Sequence, residues 1–185
     1  MTAKIGASAD GTKVTIGNAA EMALEIDATA KTIKALAPYS LQQSGPAFSA
    51  WTSVNIQVAN GAFNPIIFNT EDFDTANCFD AVSGRFTPNV QGYYQINFAV
   101  AVKAQPSASI IIALFKNTTR YFDGYNLVNN GVAVINGVAG AGAVVYLNGT
   151  TDFVQVQGYS SNANNEVQGA LRSNSNFSAS LVRAA

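Results

Sequence analysis

The sequence contains no histidine and only one cysteine, Cys78, among its 185 residues. Without histidine, a Ser-His-Asp or Cys-His catalytic centre and every histidine-ligated metal site are excluded. A single cysteine cannot form an internal disulfide. Cys78 stands between Asn77 and Phe79 with no base nearby to activate its thiol, so we interpret it as a small buried hydrophobic residue.

Charged side chains are also scarce. They make up 11% of the chain, against about 25% in an average soluble protein. Ten basic and eleven acidic residues give a net charge of −1, so neither nucleic acid nor anionic lipid is predicted as a partner. A nearly neutral surface does not keep copies apart by repulsion. This composition favours a protein that works as an assembly, although many turns and strands alone would also produce it.

No long apolar run is present. Residues 131–147 are the most apolar stretch, but glycines interrupt it and it is too short to span a bilayer, so no membrane insertion is expected. The alternating small and branched residues of 131–145 fit either a strand pair at a trimer axis with tight glycine turns, which we favour, or a flexible, weakly polar loop. Residues 1–20 lack the apolar core of a secretion signal, so we expect synthesis and assembly in a host cytoplasm.

Residues 1–45 differ in composition from the rest and contain almost no aromatic residues. Apolar and polar residues alternate at 13–16 and 22–26, which predicts short strands joined by tight turns, one of them at 27–29. A helix over 19–36 is the competing interpretation, because Asn18 and Glu21 match a capping box. The segment has too few large side chains for a core of its own. We therefore expect a β arm that anchors the molecule or contacts sister copies.

From residue 46 onward the pattern is strand and turn. The longest strand, at 93–103, places five large apolar side chains on one face: Tyr94, Ile96, Phe98, Val100 and Val102. Extended segments are predicted at 53–58, 66–68, 84–87, 93–103, 109–116, 144–147, 153–158 and 177–183. Turn signals occur at Asn60-Gly61, Ser83-Gly84, Asn130-Gly131, Asn136-Gly137 and Asn148-Gly149. Eight to ten short strands without a convincing helix predict an all-β sandwich or barrel.

Several aromatic, acidic and glycine residues recur at informative intervals. They are Phe68, Asp74, Phe79, Phe86, Gly92 and Tyr94. Their spacing resembles the signature of the C1q globular head, and residues 46–50, 79–88, 147–154 and 177–181 resemble flanking motifs of the C1q and tumour-necrosis-factor jelly roll. Ile96 stands where that signature has an aromatic residue, and Ala179 where glycine is frequent.

The resemblance covers residues 46–185 and implies a jelly-roll β-sandwich of about ten strands that forms a compact homotrimer. It also implies a structural role for the signature residues and for Phe177. No Gly-X-Y repeat precedes the head, and residues 1–45 take its place. In its general residue composition this arm resembles the short β segments that precede trimeric heads on bacteriophage fibres and surface proteins.

Catalysis finds little support, and no cofactor is predicted. The acidic residues Glu71, Asp72 and Asp74 are the candidates for a Ca²⁺ site, since carboxylate oxygens suit a hard cation. A solvated loop is the more ordinary explanation of the cluster. Trp51 and Tyr39 are candidates for stacking on a sugar, but a single tryptophan beside a strand start is more often part of a core or an interface.

The sequence therefore predicts a non-enzymatic structural protein of a bacteriophage virion: a trimeric surface knob that decorates the capsid or ends a short fibre. Other virion proteins are its expected partners through the arm at residues 1–45, and a host surface receptor or glycan is a further candidate partner. The alternative is a secreted C1q- and TNF-like binding module that recognises a receptor or carbohydrate. The jelly roll alone does not decide between them.

Overall fold

The computed structural model describes residues 4–7, 13–17, 22–29, 32–35, 45–128, 131 and 134–185. Throughout these residues the secondary structure is strand and turn, which confirms the predicted all-β class. The chain divides into two compact units, Met1–Ser44 and Gly45–Ala185. Over the described ranges, no helix with the length and apolar character of a membrane span is found.

The first unit contains one antiparallel sheet with the strand order β1-β2-β3-β4. Its strands are β1 (Lys4–Ala7), β2 (Lys13–Gly17), β3 (Met22–Asp27) and β4 (Thr32–Ala35). Between β3 and β4 the Thr29 amide donates to Asp27 Oδ1 at 3.0 Å, which closes the predicted turn. The competing helix over 19–36 is wrong for the described part of that range, because residues 22–27 and 32–35 pair as strands.

The second unit is built from β5 to β17. The strands are β5 (Ala47–Trp51), β6 (Ile56–Gln57), β7 (Asn64–Pro65), β8 (Thr70–Asp74), β9 (Phe79–Asp80), β10 (Arg85–Phe86), β11 (Gly92–Ala104), β12 (Ser109–Lys116), β13 (Thr119–Val128), β14 (Val134–Leu147), β15 (Val154–Ser160), β16 (Glu166–Gln168) and β17 (Ser175–Ala184). Strands β6, β7, β9 and β10 have two residues each: β7 and β10 pair with β15, β9 pairs with β10, and β6 pairs with β16. The remainder match the predicted jelly roll of about ten strands.

Two sheets pack face to face in this unit. One has six strands in the order β13-β12-β15-β10-β9, with β7 beside β15. The other has seven strands in the order β6-β16-β11-β17-β5-β8, with β14 beside β11. The long strand β11 pairs with β14 from Gly92 to Ala104, and with β17 and β16 along its other edge. The outer face of this seven-stranded sheet, around β11 and β14, is where the candidate site lies.

The core lies between the two sheets. On β11 the alternating residues Tyr94, Ile96, Phe98, Val100 and Val102 are all buried, as the period-2 pattern predicts. They meet inward side chains of the six-stranded sheet, which include Ile110, Ile112, Leu114, Val154 and Val156. Since neighbouring residues of a strand point to opposite faces, burial of these five side chains also determines which side chains of β11 point away from the core.

Strand β14 differs from its prediction. Residues 134–147 form one continuous strand, and Gly137, Gly140 and Gly142 lie inside it instead of forming turns. The strand continues through the glycines because it pairs with β11 along nearly its whole length. The turn predicted at Asn136-Gly137 is therefore wrong. The other four turn glycines, Gly61, Gly84, Gly131 and Gly149, have the positive φ that their turns require.

Other predicted boundaries need smaller corrections. The strand predicted at 53–58 is reduced to Ile56–Gln57, and residues 66–68 belong to no strand. Six described strands of the second unit were not among the predicted segments: β5, β7, β8, β9, β13 and β16.

Candidate functional site

The aromatic residues of the signature form one buried cluster around Phe48. The Phe48 ring lies 4.4 Å from Phe79, 4.8 Å from Phe86 and 4.9 Å from Phe177, measured between ring centroids. Phe68 contacts Phe177 at 5.5 Å, and Tyr94 contacts Phe86 at 5.6 Å. These rings fill the space between the two sheets at one end of the sandwich. They stabilise the core and offer no ligand site.

Gly92 and Tyr94 lie together at the N-terminal end of β11. A Cβ atom at Gly92 would lie 2.4 Å from the carbonyl oxygen of Arg183, so only glycine fits against β17 there. The Tyr94 hydroxyl donates a hydrogen bond of 2.6 Å to the carbonyl oxygen of Val90. Burial raises the pKa of Tyr94 to about 12, because the charged phenolate is disfavoured away from water.

Asp74 organises the loop that follows β8. Its carboxylate accepts hydrogen bonds from the backbone amides of Ala76, at 3.1 Å, and Phe79, at 2.7 Å. Phe79 is thereby held where its ring stacks on Phe48. The acidic position of the signature is thus explained by backbone capping.

The other two acidic candidates lie on the edge strand β8. Asp72 accepts a hydrogen bond of 2.9 Å from the Ser49 hydroxyl and forms an ion pair with Arg172. Glu71 is exposed and lies opposite Ala50, outside the Asp72 contacts. Within the described ranges no group of three or more potential ligands could hold a metal ion. The structure therefore uses Asp72 and Asp74 in contacts with the protein itself and does not assemble the three acids into one site.

Cys78 and Trp51 have ordinary surroundings. Cys78 is buried, and burial raises the pKa of its thiol. A thiol in such a place is a poor nucleophile. Trp51, the last residue of β5, is half-buried and lies opposite Asn176 of β17. The second sugar-stacking candidate, Tyr39, lies outside the described residues.

The outer side of β11 and β14 carries a continuous surface without charge. We call it the neutral face and define it as Tyr93, Gln95, Asn97 and Ala99 of β11 with Val138, Gly140, Gly142, Val144 and Tyr146 of β14. Its large apolar side chains are 36–61% exposed, although they belong to the two longest strands of the protein. An exposed apolar surface on a regular sheet marks an interaction site.

The centre of the neutral face consists of two glycines, one alanine and two amide side chains. Gly142 lies opposite Asn97, and a Cβ atom there would come within 2.6 Å of Asn97 Oδ1. Gly140 lies opposite Ala99 and is exposed. Glycine inside a strand weakens it unless another backbone or ligand must approach closely. The Gln95 amide donates to Asn97 Oδ1 at 3.1 Å, and both amides lie over Gly142. The face therefore combines apolar rims at Val138 and Val144 with a centre of small residues and one amide pair.

Sequence reasoning placed residues 131–145 in a strand pair at a trimer axis, but it missed the continuous neutral face because it assigned turns to the glycines of β14. One signal in the sequence could have found it: no charged residue occurs between Asp123 and Asp152. A solvent-exposed edge strand normally carries charge as protection against pairing with other chains. The absence of charged residues from β14 indicates that this strand is covered by another chain in the functional protein.

A second cluster lies on the outside of the six-stranded sheet. Phe63 contacts Phe115 at 5.2 Å and Tyr159 at 5.5 Å, and the Arg120 guanidinium lies 4.8 Å above its ring. Arg120 also pairs with Asp123, so the cluster carries little net charge. Phe63 and Tyr159 are half-buried and Phe115 is buried. Partly exposed rings with a guanidinium above them suit contact with a planar or apolar ligand group.

Comparisons with known proteins agree with this architecture. The chain matches the model of the C1q domain family over residues 47–182. Among solved structures, the globular domain of zebrafish complement 1qA protein is 20% identical and covers 76% of this chain and 99% of its own, with a TM-score of 0.55. Murine APRIL is 8% identical, covering 75% of this chain and 100% of its own at a TM-score of 0.52. The PRD1 vertex protein P5 is 12% identical, covering 77% and 100% at a TM-score of 0.50.

These identities establish a shared fold and nothing finer. No curated protein sequence matches the chain at a comparable level of significance.

Proposed function

Because the chain belongs to the C1q domain family, we propose that it is a non-enzymatic binding or structural module that works as a homotrimer, with the neutral face turned toward the threefold axis. The observation that carries this proposal is the neutral face itself. It is uncharged and largely apolar, and it lies on β11 and β14, the two longest of the described strands. A head-to-tail contact that closes after three copies buries such a surface without leaving a free edge.

The geometry of the face supports a threefold contact between copies of the same chain. The small residues Gly140 and Ala99 lie opposite each other, and the valines and tyrosines of the face supply apolar area to bury. None of the nine residues is charged, and the nearby charges are at the Tyr93 and Tyr146 end, where Arg183 lies opposite Tyr93 and Lys116 Nζ lies 5.6 Å from the Tyr146 ring. Over the rest of the face, contact between copies removes no charge of these nine residues from water. The desolvation cost that opposes many interfaces is therefore small here.

The finer proposal is a surface knob of a bacteriophage virion, which decorates the capsid or ends a short fibre. The unit at Met1–Ser44 folds as a sheet separate from the head, and this division suits an anchor that attaches to other virion proteins. The sparse charge of the whole chain suits a component of a permanent assembly.

A secreted binding module that recognises a receptor or carbohydrate is the second candidate. The cluster of Phe63, Phe115, Tyr159 and Arg120 favours it, since aromatic and guanidinium groups are frequent anchors in recognition surfaces.

Particle purification distinguishes the two. For the virion role we expect the full chain to copurify with particles, and a chain lacking residues 1–40 to remain a folded trimer that no longer does so. A truncated chain that is incorporated normally contradicts the anchor role. Particles that lack the protein altogether, together with loss of ligand binding in Phe63→Ala, would favour the secreted module.

A further inference from the structure

The sheet of the first unit has one apolar face along its whole width. The register places Ile5 opposite Ile16 and Ile16 opposite Leu24, while Val14 lies opposite Ile26 and Ile26 opposite Ile33. Side chains directly opposite in an antiparallel sheet share a face, as do residues two apart on a strand. We call this surface the arm face; its residues are Ile5, Ala7, Val14, Ile16, Leu24, Ile26 and Ile33.

The opposite side of the same sheet is polar. Lys13 on β2 forms ion pairs with Glu25 at 3.4 Å and Asp27 at 3.5 Å, both on β3. These contacts raise the pKa of Lys13 and keep it charged. One side of the sheet is therefore built for water, and the arm face is built for a second layer.

No second layer is present among the described residues of this unit. Ile5 is 76% exposed and Ile33 is 58% exposed, and the strands between them leave their isoleucines, valine and leucine only half-buried. A sheet with one hydrophobic face needs a further layer to bury it, and a single small sheet is at best marginally stable alone.

We propose that the arm face packs against the arm faces of two sister chains, so that three arm sheets form the sides of a threefold prism with an interior of isoleucine, valine and leucine. The inference rests on the homotrimer of the proposed function, because three joined heads hold three arms at high effective concentration. The faces are identical and uncharged, so packing them together leaves no unpaired charge inside. The side that carries Lys13, Glu25 and Asp27 faces away from this interior.

The test is cysteine cross-linking in the full chain, with Cys78→Ala as the background. Leu24→Cys and Ile26→Cys place a thiol at two positions on the arm face, and Thr15→Cys places one at a register position on the opposite face. Disulfides form only between close backbones. In a prism the first two variants give an interchain dimer under mild oxidation, limited to two of every three chains because the third thiol has no partner. Thr15→Cys stays monomeric on the same nonreducing gel.

Native mass spectrometry of the same samples separates the two possible failures. A trimeric mass without cross-linking of Leu24→Cys or Ile26→Cys overturns the prism and leaves the trimeric head intact, as does equal cross-linking of Thr15→Cys. A monomeric mass overturns the homotrimer, and the prism with it. A trimeric mass with cross-linking confined to the arm face supports both.

Discussion

Tyr93 of β11 and Tyr146 of β14 lie directly opposite each other, with ring centroids 5.5 Å apart and planes at 60°. This edge-to-face pair stands at one end of the neutral face, and both rings remain substantially exposed in the single chain. Two large aromatic side chains placed together on the outside of a regular sheet are suited to contact another molecule. The following predictions test that interpretation and the core that supports it.

A charge introduced into the neutral face should separate the trimer. Val144→Lys places an ammonium group at the apolar rim, where burial in an interface would remove it from water without a partner. We expect a folded monomer in sedimentation velocity. Val82→Lys, in the exposed turn between β9 and β10, is the matched control and should remain trimeric. A trimer of unchanged stability in Val144→Lys would exclude this face from the interface.

Phe48 should be the most costly aromatic residue to truncate. It contacts Phe79, Phe86 and Phe177 within 5 Å, so Phe48→Ala leaves a cavity among rings that cannot collapse together. We expect a loss of about 3–5 kcal/mol in the free energy of unfolding, measured by denaturant titration at fixed protein concentration. Phe73→Ala makes the same chemical change at a half-exposed site on β8 and should cost much less. Similar losses for both variants would refute a central role for Phe48.

Asp74 should act as a backbone cap and not as a metal ligand. Asp74→Ala removes the acceptor of the Ala76 and Phe79 amides, and we expect a loss of about 1.5–3 kcal/mol in the free energy of unfolding. Glu71→Ala, on the exposed part of the same strand, should have little effect. In the wild-type protein, addition of a chelator or of Ca²⁺ should leave the melting temperature unchanged. A large shift with either would restore Glu71, Asp72 and Asp74 as candidate ligands.

Tyr94 should make stability fall in alkaline solution. Its pKa is raised to about 12 in the folded protein from 10.0 in water, so the neutral phenol is favoured by folding. This contribution is complete below pH 10 and is lost as the pH rises from 10 through 12. Wild type should therefore lose more stability than Tyr94→Phe over that range. The phenolate absorbance of wild type minus that of Tyr94→Phe should show one group titrating near pH 12. A group titrating at pH 10 would contradict the burial of the hydroxyl.

The sequence was most informative where local pattern and packing agree. The alternation of Tyr94, Ile96, Phe98, Val100 and Val102 predicted the buried side of β11, and the signature spacing predicted the jelly roll. Both predictions succeeded because burial of every second side chain leaves a strong period in the sequence.

The sequence was least informative where pairing over long distances decides the structure. Glycine is typical of turns, yet Gly137, Gly140 and Gly142 are held in an extended strand by pairing with β11. The acids of β8 looked like a cluster because they are close in sequence. In the structure, the Asp72 carboxylate contacts Ser49 and Arg172, whereas the Asp74 carboxylate accepts from the amide of Phe79. Neither arrangement can be derived without knowing which distant segments meet.

The native mass of the full chain tests the central claim most directly. If the neutral face closes on itself around a threefold axis, native mass spectrometry at micromolar concentration will give three times the chain mass, and Val144→Lys will give the single-chain mass. A wild-type protein that is monomeric under these conditions would contradict the trimer and leave the neutral face without its proposed partner.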